Sequence, residues 1–546
     1  MKKFLINIVL LFSALILLNF VAEKLALQWD LTKDKRYTLS KVTKETVQDL
    51  QEPIQIKVYL EGDFPSEFKR IQIDTKNHLE QLHRLNPKVN FRFVNPQGLE
   101  GNLIQKGMQP SRLTVQEGAK TSEIIIFPYA EIQYKGKTEI VPLIINKRFT
   151  NQEEQLQASI ENLEYAFTDA IYKLAKQKRK NIAVLTGNDE LGFIYLDGLL
   201  KTVAKYHHLE PFPLDSANVV PNKTLNLLHK FDLAIIAKPR KAFTENEKLC
   251  LDQFLLKGGK TLWTIDKVVA EQDSLMRSGS MLATNRELNL TDFFFAYGAR
   301  VKYNLVKDLY SATIKLANGN IAGQTQYKGY LWYYYPLVVS RNNHAINKNI
   351  PEVILKYTSS IDLLKNEVKK TPLLQSSPLS KEVGTPRIIS LNEVAEKPNP
   401  KDFNHGNLTL GVLLEGEFPS VYAGRTLPFN VKDYQKKGTL SKMVLIADGD
   451  VIKNDVAQGK PLDLGIDKWT GMKYGNKAFM INAIDYLLDD TGLMELRNKK
   501  LQIAFLDKEK TYQNRLYWQF VTIAIPLVLL GLFGVVFTFY RKKKYQ

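Results

Sequence analysis

The sequence predicts an α/β protein whose extracytoplasmic region of βαβ units is flanked by two transmembrane helices. Two patterns predict this architecture: a long apolar segment near each end, and aliphatic strands alternating with amphipathic helices between them. The 546 residues suggest several folded units, because one core seldom serves more than about 200 residues. With 44% hydrophobic and 24% charged residues, the composition excludes wholesale disorder and a polytopic membrane protein.

The two apolar segments, residues 4–22 and 520–540, carry no charge. At ~1.5 Å rise per residue, each is long enough for a hydrocarbon core. A cleaved signal peptide is the alternative for 4–22, but such apolar regions span about 7–15 residues, and Phe20-Val21-Ala22-Glu23 is a poor cleavage context. We therefore predict an anchor at each end, the second preceded by a juxtamembrane segment at 501–519.

Two spans place both termini on one side of the membrane. Lys2-Lys3 and the run Arg541–Lys544 favour a cytoplasmic side, because positive residues are retained there. Lysines that flank the spans on the opposite side weaken this bias. The expected location is the inner membrane, with residues 1–3 and 541–546 in the cytoplasm and the large region in the periplasm.

The net charge of +18 raises the question of an anionic partner. The sequence contains no basic helix with interleaved aromatic residues, zinc finger or RNA-binding sheet signature, so we predict no contact with nucleic acid. A solvated surface and contact with membrane lipids account for the charge. The single cysteine, Cys250, excludes an internal disulfide and a Cys-rich zinc site.

The first predicted α/β domain covers residues 23–179. Its elements are a helix at 41–50 capped by Ser40, a strand at 54–60, a helix at 68–84, a strand at 89–94, a helical turn at 103–106, a hairpin of strands 123–127 and 140–145 turning near 134–137, and a helix at 152–176. The order of strand, helix and strand indicates a parallel βαβ unit.

The second predicted domain covers residues 180–500 and has a doubly wound sheet. Its elements are strands at 181–186, 231–237, 260–266, 409–414 and 443–448, and helices at 196–206, 244–256 and 476–488. The aromatic stretch 330–336 is expected to pack against the sheet edge. The segment 371–402, with five prolines, is predicted to be an insertion with a flexible loop.

Ligands of doubly wound sheets bind at the carboxyl ends of the strands. The candidate ligand or partner site therefore consists of Thr186, Gly187, Asn188, Asp266, Asp448, Gly449 and Asp450. Asp448-Gly449-Asp450 could bind a divalent cation, but so short a motif is also a common turn, and we predict neither a metal nor a cofactor.

Motifs of catalysis are missing from the sequence. It has no phosphate-binding G-x-x-x-x-G-K-[ST], no G-x-S-x-G elbow and no H-E-x-x-H pair. Cys250 falls inside a predicted helix rather than at a strand-to-helix turn, where a thiolate nucleophile would be exposed. We predict that the protein has no catalytic residues and is not an enzyme.

A short similarity links residues 60–66 (LEGDFPS) to residues 414–420 (LEGEFPS), each after a predicted strand. One interpretation makes the turns equivalent partner-contact sites, through Glu61, Asp63, Phe64, Glu415, Glu417 and Phe418. The other is convergent strand-exit chemistry, with glycine for the turn and proline to begin the next element.

The order of these features resembles the GldG family of gliding-motility ABC-transporter auxiliary proteins over essentially the whole chain. The blocks that carry the resemblance are DLTKDKRYTLS at 30–40, VYLEGDFP at 58–65, LLEGEFPS at 413–420, ADGD at 447–450 and GNKAFMINAIDYLL at 475–488. The resemblance implies an ABC-2 type permease (GldF-like) and a separate ATPase (GldA-like) as partners. It also implies a glutamine-amidotransferase-like domain that lacks the elbow cysteine of its catalytic relatives.

Three functions stay open on the sequence. The first is a substrate-binding accessory subunit of an ABC transporter associated with gliding motility, in a homo- or hetero-oligomeric complex. The second is a membrane-anchored envelope hydrolase or amidotransferase that uses Asp266, Asp448 or Asp450. The third is a structural scaffold of a motility or adhesion apparatus.

Overall fold

A computed structural model describes residues 12–14, 38–62, 66–117, 120–145, 152–176, 180–321, 323–339, 342–499 and 508–545. The chain divides into two units, residues 1–499 and 500–546. The two α/β domains predicted at 23–179 and 180–500 thus have separate sheets within one compact unit. The predicted N-terminal span at 4–22 lies outside the described residues, except for the helical residues 12–14.

The first part of the larger unit contains a four-stranded sheet of order β2-β1-β5-β6, and β1 and β2 form the predicted parallel pair. Its elements are α1 (Lys41–Gln48), β1 (Ile54–Val58), α2 (Ser66–Leu85), β2 (Val89–Phe93), α3 (Glu100–Gln105), β3 (Ser111–Glu117), β4 (Lys120–Ile126), β5 (Tyr129–Tyr134), β6 (Lys137–Pro142) and α4 (Gln152–Ala175). Ser40 caps α1 as predicted, because its side chain accepts a hydrogen bond from the Thr43 N–H.

The hairpin prediction in this part is wrong in its pairing. Strands β5 and β6 pair around the expected turn at Lys135-Gly136, so the strand predicted at 140–145 begins at Lys137. Residues 123–127 belong instead to a separate hairpin, in which β4 pairs with β3. The sequence pattern of β4 does indicate a strand, but β4 pairs with β3, which precedes it, rather than with a strand that follows it.

The second part is built on a seven-stranded sheet of order β19-β22-β23-β10-β9-β7-β8. Its elements are β7 (Asn181–Thr186), α5 (Asp197–Val203), β8 (His208–Pro213), α6 (Pro221–Leu228), β9 (Leu233–Ala237), α7 (Glu245–Leu256), β10 (Lys260–Thr264), β11 (Val268–Val269), α8 (Gln272–Ser278), β12 (Ser280–Asn285), α9 (Thr291–Ala296), β13 (Ala299–Val301), β14 (Asn304–Asp308), β15 (Ser311–Ile321), β16 (Gln324–Val338), β17 (Val353–Ile354), β18 (Ile361–Leu363), β19 (Lys369–Gln375), β20 (Ser380–Gly384), β21 (Arg387–Ser390), β22 (Thr409–Pro419), β23 (Lys437–Ile446), β24 (Val456–Ala457), β25 (Lys460–Pro461) and α10 (Asn476–Leu488).

Five strands of this sheet, from β8 to β23, run parallel, and β22 and β19 continue it in antiparallel pairs. Both faces are covered. Leu233 and Ile235 of β9 pack into a core that includes α5 and α10, whereas Ala234 and Ile236 pack into a second core that includes α6 and α7. Helices on both faces confirm the mixed α/β, doubly wound prediction.

Two predictions about the region between β10 and β22 are wrong. The aromatic stretch 330–336 lies in β16, which pairs with β15 and β17 in a small sheet of its own rather than against the edge of the large sheet. The segment 371–402 is not a loop, because it includes most of β19 and all of β20 and β21. Pro372 is accommodated because β19 is an edge strand.

The smaller unit contains α11 (Lys508–Gln513) and α12 (Arg515–Tyr545). The stretch Arg515–Lys544 is the one helix of the described residues that is long and apolar enough to cross a membrane. It contains the span predicted at 520–540 and ends in the basic residues Lys542, Lys543 and Lys544.

Two leucines of neighbouring strands offer a matched test of this packing. Leu413 in β22 is fully buried, and Leu440 in β23 is 77% exposed. We expect Leu413→Ala to lower the free energy of unfolding by about 2–5 kcal/mol, because it opens a cavity in the core, and Leu440→Ala to change it by less than about 0.5 kcal/mol. Urea unfolding of the full chain in neutral lipid nanodiscs measures both. Equal effects would contradict the assigned strand orientation.

Candidate functional site

The carboxyl ends of three adjacent parallel strands bring four charged side chains together. Lys238 follows β9, Asp266 follows β10, and Asp448 and Asp450 follow β23. We call these four residues the strand-end cluster. Because β9, β10 and β23 are neighbours in the sheet, residues more than 200 positions apart meet at one edge.

Lys238 is the centre of the strand-end cluster. Its side chain is completely buried, and its Nζ lies 2.7 Å from Asp450 Oδ1, 3.2 Å from Asp266 Oδ2 and 3.7 Å from Glu271 Oε1. A buried ammonium needs compensating charge, and these carboxylates supply it. The amine therefore occupies the place that a bound cation would take between the aspartates.

The predicted Asp448-Gly449-Asp450 motif is a tight turn around this lysine. Asp448 accepts hydrogen bonds from the backbone N–H of Asp450 and of Lys356, both at 2.7 Å, and Asp266 accepts one from Gly449 N–H at 2.5 Å. A Cβ at position 449 would lie 2.4 Å from Lys238 Cγ. Only glycine therefore lets the lysine pass so close to the turn.

The charges of the strand-end cluster set its protonation. Burial raises the pKa of Asp266 and of Asp448, and the negative charge of Asp450 raises both further. Burial also acts to raise the pKa of Asp450, but Lys238 and Lys453 outweigh it and hold that pKa well below its usual value. Burial opposes the charge of Lys238, yet Asp266 and Asp450 raise its pKa above the ordinary value. Lys238 and Asp450 thus form a permanently charged pair.

A cavity of about 60 Å³ adjoins the cluster on the side of Asp450. Tyr335, whose hydroxyl is buried, lines it. Lys356 and Lys453 also line it. The space is enough for water or a small ion and too small for a metabolite.

The other predicted site residues serve the fold at the end of β7. Gly187 has φ +118°, and a Cβ there would lie 2.9 Å from Asp215. The Asn188 side chain donates to Glu247 at 2.9 Å, and the backbone carbonyl of Asn188 accepts from the N–H of Arg240 and of Lys241. In the described part of the chain, no hydrogen bond joins Thr186, Gly187 or Asn188 to the strand-end cluster.

The interpretation of two equivalent contact turns is wrong for the second one. Residues 414–419 lie inside β22, where Glu415 and Glu417 are paired with β23, so no turn forms there. Phe418 is fully buried, with its ring 5.3 Å from that of Tyr297. Glu61 is exposed after β1, and Asp63 and Phe64 lie outside the described residues.

The remaining candidates for chemistry are inert by their surroundings. Cys250 lies in α7, and burial together with the charge of Glu247 raises the pKa of its thiol to about 12, so it is protonated at neutral pH. Among the described residues, no group of three or more His, Cys, Asp or Glu side chains is arranged to hold a metal ion.

Sequence reasoning missed Lys238, the residue that organises the site. The residues predicted at the strand ends are threonine, glycine, asparagine and aspartate, and the positive charge is assigned to a solvated surface. A signal was present, because Lys238 directly follows the aliphatic strand β9, and Asp266 and Asp448 stand two residues after the ends of β10 and β23. A charge placed directly after a fully buried strand is forced close to the neighbouring strand ends.

Comparison with known proteins identifies the family of the chain. Residues 179–483, more than half of the chain, match the model of a family described as an ABC-type uncharacterized transport system, and the chain belongs to this auxiliary family. Residues 33–133 match a domain of unknown function (DUF7088). The family makes the protein an accessory component of an ABC-type transport system that works with other subunits.

Two individual proteins are similar to this chain. An uncharacterized protein of Borreliella burgdorferi is 24% identical over 536 residues, which cover 94% of this chain and 93% of that protein. The mmIFT52 N-terminal domain aligns with 57% of this chain and 98% of its own, at 13% identity and a TM-score of 0.33. A TM-score of 0.33 does not assign a shared fold.

Removal of the central ammonium tests the strand-end cluster. Lys238→Met leaves two buried carboxylates without compensation, and we expect it to lower the free energy of unfolding by about 3–5 kcal/mol. Lys453→Met is the matched control, because Lys453 lies 3.6 Å from the same Asp450 but is partly exposed, and we expect less than about 1 kcal/mol. The measurement is urea unfolding of the full chain.

A Lys238→Met variant that does not fold still permits the test. Additional Asp266→Asn and Asp450→Asn substitutions remove the unpaired charges and are expected to restore a folded, protease-resistant chain. Equal stability of wild type and Lys238→Met would show that the cluster is solvated.

Proposed function

We propose that the protein is a non-catalytic, membrane-anchored subunit of an ABC transporter associated with gliding motility, as the GldG resemblance implies. The observation that carries this proposal is the family match over residues 179–483 in a chain that also has an exposed, apolar helix at Arg515–Lys544. A large folded unit joined to a membrane helix suits a component that binds substrate for a separate permease and ATPase.

The absence of catalysis is part of the proposal. Three carboxylates at the ligand-binding edge of a doubly wound sheet would suit a hydrolase, but Lys238 and the backbone N–H groups engage them. Cys250 is buried within a helix, and its raised thiol pKa disfavours a thiolate. The amidotransferase-like sheet then serves as a binding platform.

The partners in this proposal are a GldF-like ABC-2 permease and a GldA-like ATPase. The Arg515–Lys544 helix is apolar around its whole circumference, which allows it to pack against the helices of a permease within the bilayer. A second span at 4–22 would complete an inner-membrane hairpin with cytoplasmic termini and a periplasmic outer domain.

Purification of the full chain in a mild detergent tests the partnership. We expect a multi-span membrane protein and an ATPase with a G-x-x-x-x-G-K-[ST] motif to purify with it. Replacement of residues 520–540 by a leucine-alanine helix of equal length is the control, since it keeps the apolar span but changes the packing surface and should reduce recovery of the permease at least tenfold. A chain that purifies alone as a monodisperse particle contradicts the proposal.

The topology is tested by thiol labelling, because the only natural cysteine is buried. Lys365→Cys and Lys544→Cys place exposed thiols in the outer domain and in the basic tail. A membrane-impermeant maleimide should label Lys365→Cys in intact spheroplasts, and Lys544→Cys only after permeabilisation, while the wild type stays unlabelled. The reverse pattern would place the large domain in the cytoplasm.

A further inference from the structure

A cavity of about 660 Å³ opens where the two sheets of the larger unit meet, away from the strand-end cluster. Five pieces of chain wall it: the start of β6, the end of α4, Lys180 just before β7, the link between α5 and β8, and the end of α10 with the residues after it. Its volume lies in the range of small-molecule sites. Neither the family description nor the sequence motifs account for it.

The base of this inter-sheet cavity is apolar. Leu174, Leu488, Leu493 and Met494 line it, and most of the lining surface is non-polar. The rings of Tyr172 and Tyr206 also face it, but each carries a lysine ammonium near its ring, Lys176 at 5.4 Å and Lys173 at 5.0 Å from the ring centroid. An apolar ligand body therefore has a surface to cover, while the ring faces are already engaged by ammonium groups.

Every carboxylate that lines the cavity already has a partner. Lys173 lies 2.8 Å from Asp169 and 3.4 Å from Asp485, Lys180 lies 2.5 Å from Asp490, and the Tyr206 hydroxyl donates to Glu139. Asp489 accepts hydrogen bonds from the backbone N–H of Thr491, Gly492 and Met494. The acidic groups are thus committed within the protein and offer little to a cationic ligand.

Three lysines of the wall differ from these acids. Lys137, Lys176 and Lys205 are exposed and have no carboxylate partner among the residues that the structure describes. They come from three different wall elements, the start of β6, the end of α4 and the link between α5 and β8. Lysines without carboxylate partners, together with an apolar lining, favour a ligand that has an anionic head and an apolar body.

We propose that the inter-sheet cavity binds an anionic amphiphile, with a phosphate or carboxylate head held by Lys137, Lys176 and Lys205 and an apolar body packed on Leu488, Leu493 and Met494. The ligand is either a soluble amphiphile or an anionic lipid, since both present the same chemistry. This inference does not depend on the transporter assignment.

Lysine acetylation footprinting of the full chain in phosphatidylcholine nanodiscs tests the site, with octyl phosphate as the probe. We expect octyl phosphate to slow acetylation of Lys137, Lys176 and Lys205 at least threefold. The exposed lysines Lys223, Lys365 and Lys397 lie outside the cavity and serve as internal controls whose rates should not change. Octyltrimethylammonium, which has the same chain and the opposite charge, and inorganic phosphate at the same concentration should give no protection.

A blocking variant separates cavity binding from adhesion to the protein surface. Thr138→Trp fills the cavity from an exposed position of β6 and should abolish the protection. Thr325→Trp, at an exposed position of β16 outside the cavity, should keep it. Protection by the cationic amphiphile equal to that by octyl phosphate, or protection retained in Thr138→Trp, would overturn the proposal. Nanodiscs that contain phosphatidylglycerol, without octyl phosphate, identify the source: protection there indicates a lipid, and its absence indicates a soluble amphiphile.

Discussion

Burial of both faces of the seven-stranded sheet is the constraint on which the rest of the larger unit depends. All five residues of β9 are buried, and alternate residues feed two different cores. Polar side chains are excluded from the body of such strands, so they collect where the strands end. The position of the charged cluster follows from the packing of the sheet before any functional requirement enters.

At those strand ends the charge of the aspartates is compensated by a lysine of the same chain. Three aspartates so close together would repel one another and remain partly protonated. Lys238 supplies the counter-charge, and Gly449 gives it room. An internally neutralised cluster holds three strand ends together through one ammonium.

Local signals in the sequence predicted most helices, whereas strand pairings between distant residues could not be predicted from it. The cap of α1 was predictable because Ser40 acts on a residue three positions away. The pairing of β4 with β3 and the inclusion of residues 414–419 in a long strand depend on neighbours that no short window contains. Lys238 is the clearest case, because its contacts with the aspartates form only when β9, β10 and β23 lie side by side in the sheet.

The inter-sheet cavity takes its walls from both parts of the larger unit, for example residues 137–139 of the first and 485–494 of the second. Binding at such a site is thermodynamically linked to the separation of the two sheets. A partner or force that separates the sheets lowers the affinity for the ligand, and the bound ligand disfavours separation by the same factor. A bound ligand would therefore hold the two sheets together reversibly. The stiffness of the larger unit would then be set by the concentration of a small molecule as well as by the sequence.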